Sequence, residues 1–135
     1  MASFGPVVPV LRIFDEAKAR EFYLGFLGCE IVFEHRFGEN FPLYMGLSLG
    51  GCALHLSEHH GDACPGAHVR ISAQDIAEFV KSLREKDYRY AKPGEAEQTP
   101  WGSLEMTIAD PFGNRLTFTQ EVGAAPMPGA AAPEA

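Results

Sequence analysis

The sequence has no apolar run near the roughly 20 residues that a membrane-spanning helix needs. It also has no cationic segment followed by an apolar one, the pattern of a secretory signal, so it predicts a cytoplasmic protein. Its three cysteines, Cys29, Cys52 and Cys64, form no Cys-x-x-Cys pair. Because three is an odd number, we expect reduced thiols and not a disulfide framework.

Basic residues are scarce, with 11 Lys and Arg against 18 Asp and Glu and a formal net charge of −7. Nucleic acid is therefore not an expected partner, because phosphate binding needs a basic face. An acidic protein can attract a cationic ligand, although solubility is the commoner reason for acidity. The apolar share of 46% is that of a globular protein.

The predicted elements follow the order strand, helix and three strands, and this order occurs twice. The first copy is predicted at residues 7–14, 16–24, 29–37, 43–49 and 52–56. Asp15 is a candidate cap at the start of the first helix, and Gly28 is a candidate residue at its end.

The second copy has a strand at 67–72 and a helix after Asp75 with apolar residues at helical spacing (Ile76, Phe79, Val80 and Leu83). A strand is predicted to begin at residues 88–90, and a hairpin at 103–109 and 115–120. In the turn between them, Pro111 restricts φ and Gly113 supplies a positive φ.

The two copies align residue by residue, with 51–56 on 113–118 and 8–15 on 68–75. In a separate interpretation, Arg12 and Arg70 hold equivalent positions in the two modules. The sequence predicts one domain over residues 1–122, built from module one at about 7–57 and module two at about 67–121. Residues 123–135 lack periodicity and are predicted to be a disordered tail.

The segment Pro100-Trp101-Gly102, followed by Asp110-Pro111-Phe112-Gly113-Asn114, carries a family resemblance. With the duplicated unit, it resembles the vicinal oxygen chelate superfamily (glyoxalases, bleomycin resistance proteins and dioxygenases), and most of all the bleomycin resistance branch. The resemblance implies an α+β fold in which two βαβββ modules form curved mixed sheets with a shared cleft. It also implies a homodimer.

In metal-dependent members of the superfamily, four positions face the metal, and the resemblance places them here at Val8, His55, His68 and Thr117. Valine cannot ligate and threonine is a poor ligand, whereas a catalytic site needs about three protein ligands. We therefore expect no cofactor, with a divalent metal at His55 and His68 as the alternative. The polar loop at 57–62 holds further potential ligands, and the favoured interpretation is an ordinary surface loop.

The resemblance also assigns residues to ligand binding. Trp101 matches the tryptophan that stacks on the flat heteroaromatic part of bleomycin in that branch. Phe33 falls in the region that supplies the aromatic residue on the opposite side of the drug. Glu105 is interpreted as a cation partner, as a general base with a raised pKa, or as a solvent-facing residue. His55 and His68 line the same cleft in this interpretation.

The expected function is binding and sequestration of a bleomycin-type glycopeptide antibiotic, without catalysis. The alternative is a metal-dependent enzyme of the glyoxalase or dioxygenase type that uses His55 and His68. A third possibility is a binder of an unrelated small molecule, because one fold hosts many functions. Tyr44, Tyr88 and Tyr90 are interpreted as sheet packing.

Overall fold

The computed structural model describes residues 1–122, so the predicted tail at 123–135 lies outside the described residues. The chain divides into two compact units, residues 1–67 with 111–114 and residues 68–110 with 115 onward. Each unit has one four-stranded mixed sheet and one helical segment, which confirms the α+β class and the repeated βαβββ order. Among the described residues, no helix has the length and apolar character to cross a membrane.

The first unit contains strands β1 (Val10–Arg12), β2 (Glu30–His35), β3 (Tyr44–Leu49) and β4 (Cys52–Ser57) and helix α1 (Glu16–Arg20). Its strand order is β1-β4-β3-β2, with β1 parallel to β4 and the other pairs antiparallel. The Asp15 carboxylate accepts a 2.9 Å hydrogen bond from the Lys18 backbone and so caps α1 as predicted. The helix continues as π-helical turns over Glu21–Phe26, two residues beyond the predicted end, before Gly28 turns the chain at φ 89°.

The second unit contains strands β5 (His68–Ser72), β6 (Glu97–Gln98), β7 (Ser103–Ala109) and β8 (Arg115–Glu121) and helix α2 (Ile76–Glu85). Its strand order is β5-β8-β7-β6, with β5 parallel to β8. This is the same arrangement as in the first sheet. The β7–β8 hairpin forms around the predicted turn, in which Gly113 has a φ of 88°.

The prediction of a strand beginning at residues 88–90 is wrong, because the edge strand of this sheet is β6 at Glu97–Gln98. The rings of Tyr88 and Tyr90 contact each other edge-on, with centroids 5.8 Å apart, and Arg89 lies over the Tyr90 ring. Local packing here overrides the strand preference of aromatic residues. Asp75 does precede α2, but its backbone is left-handed (φ 53°) and its side chain makes no capping hydrogen bond.

The equivalence of Arg12 and Arg70 is also wrong. In the two parallel pairs, Val10 lies opposite His55 and Arg70 lies opposite Thr117. Because His55 and Thr117 occupy the same position in the repeat, Arg70 corresponds to Val10. Arg12 therefore lies two residues after the position that is equivalent to Arg70.

Each sheet has an apolar face and a more polar one, because successive side chains of a strand point to opposite sides. The apolar face of the first sheet is almost fully buried, with each residue at most 1% exposed: Leu11, Met45, Leu47, Leu54 and Leu56. In the second unit the apolar face packs on α2, where the Phe79 ring centroid lies 4.9 Å from that of Phe118. The opposite faces carry four of the predicted site residues, Phe33, His55, His68 and Glu105.

Candidate functional site

The polar face of the first sheet carries an exposed phenyl ring. Phe33 of β2 pairs with Gly46 of β3, and Gly46 pairs with His55 of β4, so the three residues share this face. A register shift between Ile31 and Phe33 interrupts the β2–β3 ladder just before this point. Such a bulge re-aims the following side chain, and here that side chain is Phe33, which is 40% exposed.

Gly46 makes room for that ring. A Cβ atom on Gly46 would lie 2.1 Å from Cε2 and 2.6 Å from Cδ2 of Phe33, well inside van der Waals contact. The phenyl ring therefore occupies the space that a side chain at position 46 would need. A glycine within a strand often marks such a close approach.

Phe33, Tyr44 and His55 form a cluster that we call the aromatic corner. The Phe33 and Tyr44 rings are nearly parallel, with centroids 6.1 Å apart, and the His55 ring stands edge-on to Phe33 at 5.2 Å. The Tyr44 hydroxyl lies 2.7 Å from Nδ1 of His55, within hydrogen-bonding distance. Burial, and secondarily the charge of Asp62, raises the pKa of the Tyr44 phenol, which therefore keeps its proton at neutral pH.

On the polar face of the second sheet, Glu105 is held by its neighbours. Its Oε2 atom accepts hydrogen bonds from Arg70 (2.6 Å), Ser103 (2.9 Å) and Thr119 (3.3 Å). Burial alone would raise the pKa of Glu105, but the bonds from Ser103 and Arg70 outweigh it and lower the pKa. The expectation of a general base with a raised pKa is therefore wrong, because the residue is ionised and paired.

Trp101 lies in the loop before β7 and is 50% exposed. The loop backbone is well bonded: Thr99 N–H donates to the Ser103 carbonyl at 2.7 Å, and Ser103 N–H donates to the Thr99 hydroxyl at 3.1 Å. The Trp101 indole also lies near Glu105, and of the groups that lower the pKa of that carboxylate it has the smallest effect. This loop therefore presents a flat ring to solvent from a fixed backbone.

His68 is engaged within the second unit. Its Nε2 atom lies 2.8 Å from the Thr117 hydroxyl, which lies 2.7 Å from the Thr107 hydroxyl. Two of the four positions implied by the resemblance, His68 and Thr117, are thus in direct contact. Their polar atoms bind each other.

These residues do not fit a catalytic metal site. Val8 has no donor atom, the Thr117 hydroxyl is occupied, and only His55 and His68 are left as donors where about three are needed. In the loop at 57–62, Glu58 accepts from the Leu43 backbone at 3.0 Å and Asp62 accepts from the Ser57 hydroxyl at 2.7 Å. Within residues 1–122, no three His, Cys, Asp or Glu side chains form a group that could hold a metal ion.

Of the predicted site residues, Phe33 and His55 meet in the first unit, and Trp101 and Glu105 meet in the second. The sequence interpretation missed Tyr44 and Gly46. The alternation of β3 places both on one face, but only the cross-strand register shows that this face also carries Phe33 and His55.

Comparison with known proteins identifies the family. A family profile described as "Glyoxalase superfamily protein" matches residues 1–125, and the chain belongs to that superfamily. None of the curated proteins resembles the chain closely enough to count as a match.

Solved structures agree with this fold. A bleomycin-binding protein from Streptomyces verticillus, in complex with copper(II)-bleomycin, is 26% identical over 92% of this chain and 100% of that one, with a TM-score of 0.67. A second bleomycin-binding protein in complex with bleomycin is 25% identical over 87% and 99%, with a TM-score of 0.66. An antibiotic-binding protein from Streptomyces sp. CB03234 has the same fold (TM-score 0.72, 90% and 98% covered) at 21% identity.

Proposed function

We propose that this chain is a binding protein that holds a flat aromatic antibiotic of the bleomycin type and confers resistance by sequestering it, without changing it chemically. The observation that carries the proposal is the exposure of two large aromatic rings, Phe33 on the polar face of the first sheet and Trp101 in the loop before β7. Trp101 is 50% exposed and Phe33 is 40% exposed, although burial of either ring would stabilise the fold. Rings that stay exposed beside polar groups are suited to stacking on a ligand.

Two further features support this function. The bleomycin-binding proteins that share the fold are 25% and 26% identical to the chain over most of its length. The net charge of −7 suits a cationic drug, because an acidic surface accelerates the approach of a cation. We place the protein in the cytoplasm as part of this proposal.

Trp101 provides the test, because it is the only tryptophan in the chain. Metal-free bleomycin titrated into the protein should quench or shift the Trp101 emission in a saturable way. Trp101→Ala should weaken binding measured by calorimetry by about tenfold, since a stacked aromatic contact contributes roughly 0.5–1.5 kcal/mol beyond the area it buries. Tyr90→Ala is the matched control, because Tyr90 is an exposed ring (68%) outside the assigned residues. Equal affinities for the Trp101 and Tyr90 variants would remove Trp101 from the site.

A metal-dependent enzyme of the glyoxalase or dioxygenase type, using His55 and His68, is the second candidate. One observation favours it: no residue within 1–122 bonds to Nε2 of His55, so this nitrogen is open to a ligand. A divalent ion that survives dialysis in stoichiometric amount, and is lost in His68→Ala, would establish this alternative. Metal content unchanged by the substitution would refute it.

We also propose that the protein acts as a homodimer. The edge strand β2 is exposed along its whole length, and its apolar members Ile31 and Val32 are 40% and 66% exposed. Apolar side chains on an unpaired strand edge favour association with another chain. Sedimentation equilibrium should give twice the monomer mass of 14.7 kDa, and a monomer at micromolar concentration would contradict the proposal.

A further inference from the structure

The aromatic corner carries an inference about the chemistry of the ligand, and it rests on the function proposed above. We propose that His55 presents a protonated Nε2 beside the Phe33 ring, so that the corner selects a flat aromatic group with a hydrogen-bond acceptor oxygen next to the ring. Tyr44 is then the positioning residue that sets the proton of His55. Neither the role of Tyr44 nor the acceptor preference follows from the family resemblance.

The Tyr44–His55 bond fixes the position of the imidazole proton. The Tyr44 hydroxyl and Nδ1 of His55 lie 2.7 Å apart, a distance compatible with either atom as the donor. A phenol O–H is a stronger donor than an imidazole N–H, and an imidazole nitrogen is a better acceptor than a phenol oxygen, so Tyr44 donates to Nδ1. Neutral imidazole carries one proton, and with Nδ1 accepting, that proton lies on Nε2.

Nε2 of His55, which carries this proton, is open to a ligand. His55 is only partly buried, and no described residue bonds to its Nε2, so this N–H has no partner within the unit. The edge-on contact of His55 with Phe33, at 5.2 Å between centroids, keeps the imidazole upright against the phenyl ring. A ligand ring that stacks on Phe33 therefore has a hydrogen-bond donor at its margin.

The aromatic corner is held rigidly by its own contacts. Phe33 rests on the backbone at Gly46 and stacks on Tyr44, while the Tyr44 hydroxyl fixes the imidazole. The cluster is thus ordered before a ligand arrives, which lowers the entropic cost of binding. Carbonyl, carboxylate and phenolate oxygens share the acceptor chemistry that this donor requires, whereas a protonated amine in the same place has only donors and would be disfavoured.

The proton can be located without any ligand. Nitrogen-15 NMR of histidine-labelled protein at neutral pH, with the His55 signals assigned from their loss in His55→Phe, should show a protonated Nε2 and an unprotonated Nδ1. In Tyr44→Phe the two tautomers should mix, whereas Tyr90→Phe should leave the His55 signals unchanged. A proton on Nδ1 in the native protein would overturn the inference, even if bleomycin binds.

The ligand preference is tested with 2-acetylnaphthalene and 2-ethylnaphthalene, which have nearly the same shape and differ in one carbonyl oxygen. The ketone should bind about tenfold more tightly, the ratio expected for one hydrogen bond. Tyr44→Phe should reduce that ratio, whereas Tyr90→Phe, outside the aromatic corner, should leave it unchanged. Equal binding of the two probes by a protein that binds bleomycin would overturn the acceptor preference and leave sequestration standing. Failure to bind bleomycin would instead refute the proposed function.

Discussion

Replacing Gly46 by alanine should displace Phe33 and thereby dismantle the aromatic corner. The added methyl carbon would lie 2.1 Å from Cε2 of Phe33, 2.6 Å from Cδ2 and 2.8 Å from Cζ. Ordinary carbon–carbon contacts are about 3.5–4.0 Å, so the ring must move by more than an ångström. Because β2 is an edge strand and Phe33 is already 40% exposed, the ring can swing toward solvent.

Two opposing effects set the change in the free energy of unfolding. Loss of the buried part of the Phe33 ring costs about 1–2 kcal/mol, since full burial of such a side chain is worth roughly 1.5–3 kcal/mol. Alanine is preferred to glycine in a strand by roughly 0.5–1 kcal/mol, which offsets part of that cost. We therefore expect a net destabilisation of at most about 1.5 kcal/mol in the native background.

The decisive comparison is the same substitution in a Phe33→Ala background. There the clash is absent, so Gly46→Ala should change sign and stabilise the protein. Urea unfolding followed by circular dichroism measures both effects, and the coupling between positions 33 and 46 should be about 1–2 kcal/mol. Gly51→Ala, at an open position in the β3–β4 turn, should have the same small effect in both backgrounds. Equal destabilisation by Gly46→Ala in both backgrounds would refute the close approach.

Three further predictions follow from local chemistry. Asp15→Ala should lower the free energy of unfolding by about 1 kcal/mol because it removes the α1 cap. Asp75→Gly should leave that free energy unchanged or raise it by up to about 1 kcal/mol, because the Asp75 backbone is left-handed and its side chain makes no capping bond. Equal losses in urea unfolding would contradict this difference. The pKa of Glu105 is lowered from 4.5 in the folded protein, so its contribution to stability is present above that pH and is lost as the pH falls below it. The free energy of unfolding should therefore fall less steeply with acid in Glu105→Gln than in the native protein. An identical curve would show that the residue is not paired. Burial raises the pKa of the Cys29 thiol to about 12, so a thiol reagent at pH 8 should modify the exposed Cys64 rapidly and Cys29 only after unfolding, as peptide mapping would show.

Local signals in the sequence were sufficient for the repeated element order. The alternating residues of the β7–β8 hairpin and its turn with Gly113 appear where predicted, as does the Asp15 cap. These features depend on a few neighbouring residues, and periodicity or turn chemistry describes them well. The duplication added a check, because each copy supports the assignment of the other.

The errors occur where side-chain packing or cross-strand register decides the structure. The segment at 88–90 has the aromatic composition of a strand, but its rings pack on each other and pairing begins only at Glu97. The aromatic corner depends on the bulge in β2 and on the register across three strands, which no local pattern reveals. Tyr44 was therefore interpreted as packing, although its hydroxyl binds the candidate site residue His55.

The acid–base role considered for Glu105 was wrong for a similar reason. Alternation along β7 puts Glu105 on the polar face, but its pKa depends on three donors that bond to one of its carboxylate oxygens. Ser103 is two residues away on the same strand, whereas Arg70 of β5 and Thr119 of β8 reach Glu105 only in the assembled sheet. Together these donors hold Glu105 in its charged form.

Isothermal titration of metal-stripped protein with metal-free bleomycin would test whether the protein sequesters a bleomycin-type antibiotic. We expect saturable binding at micromolar affinity or tighter, with about one drug molecule per chain and recovery of the drug unchanged. Absence of binding heat, together with no competition against a fluorescent bleomycin, would contradict the claim.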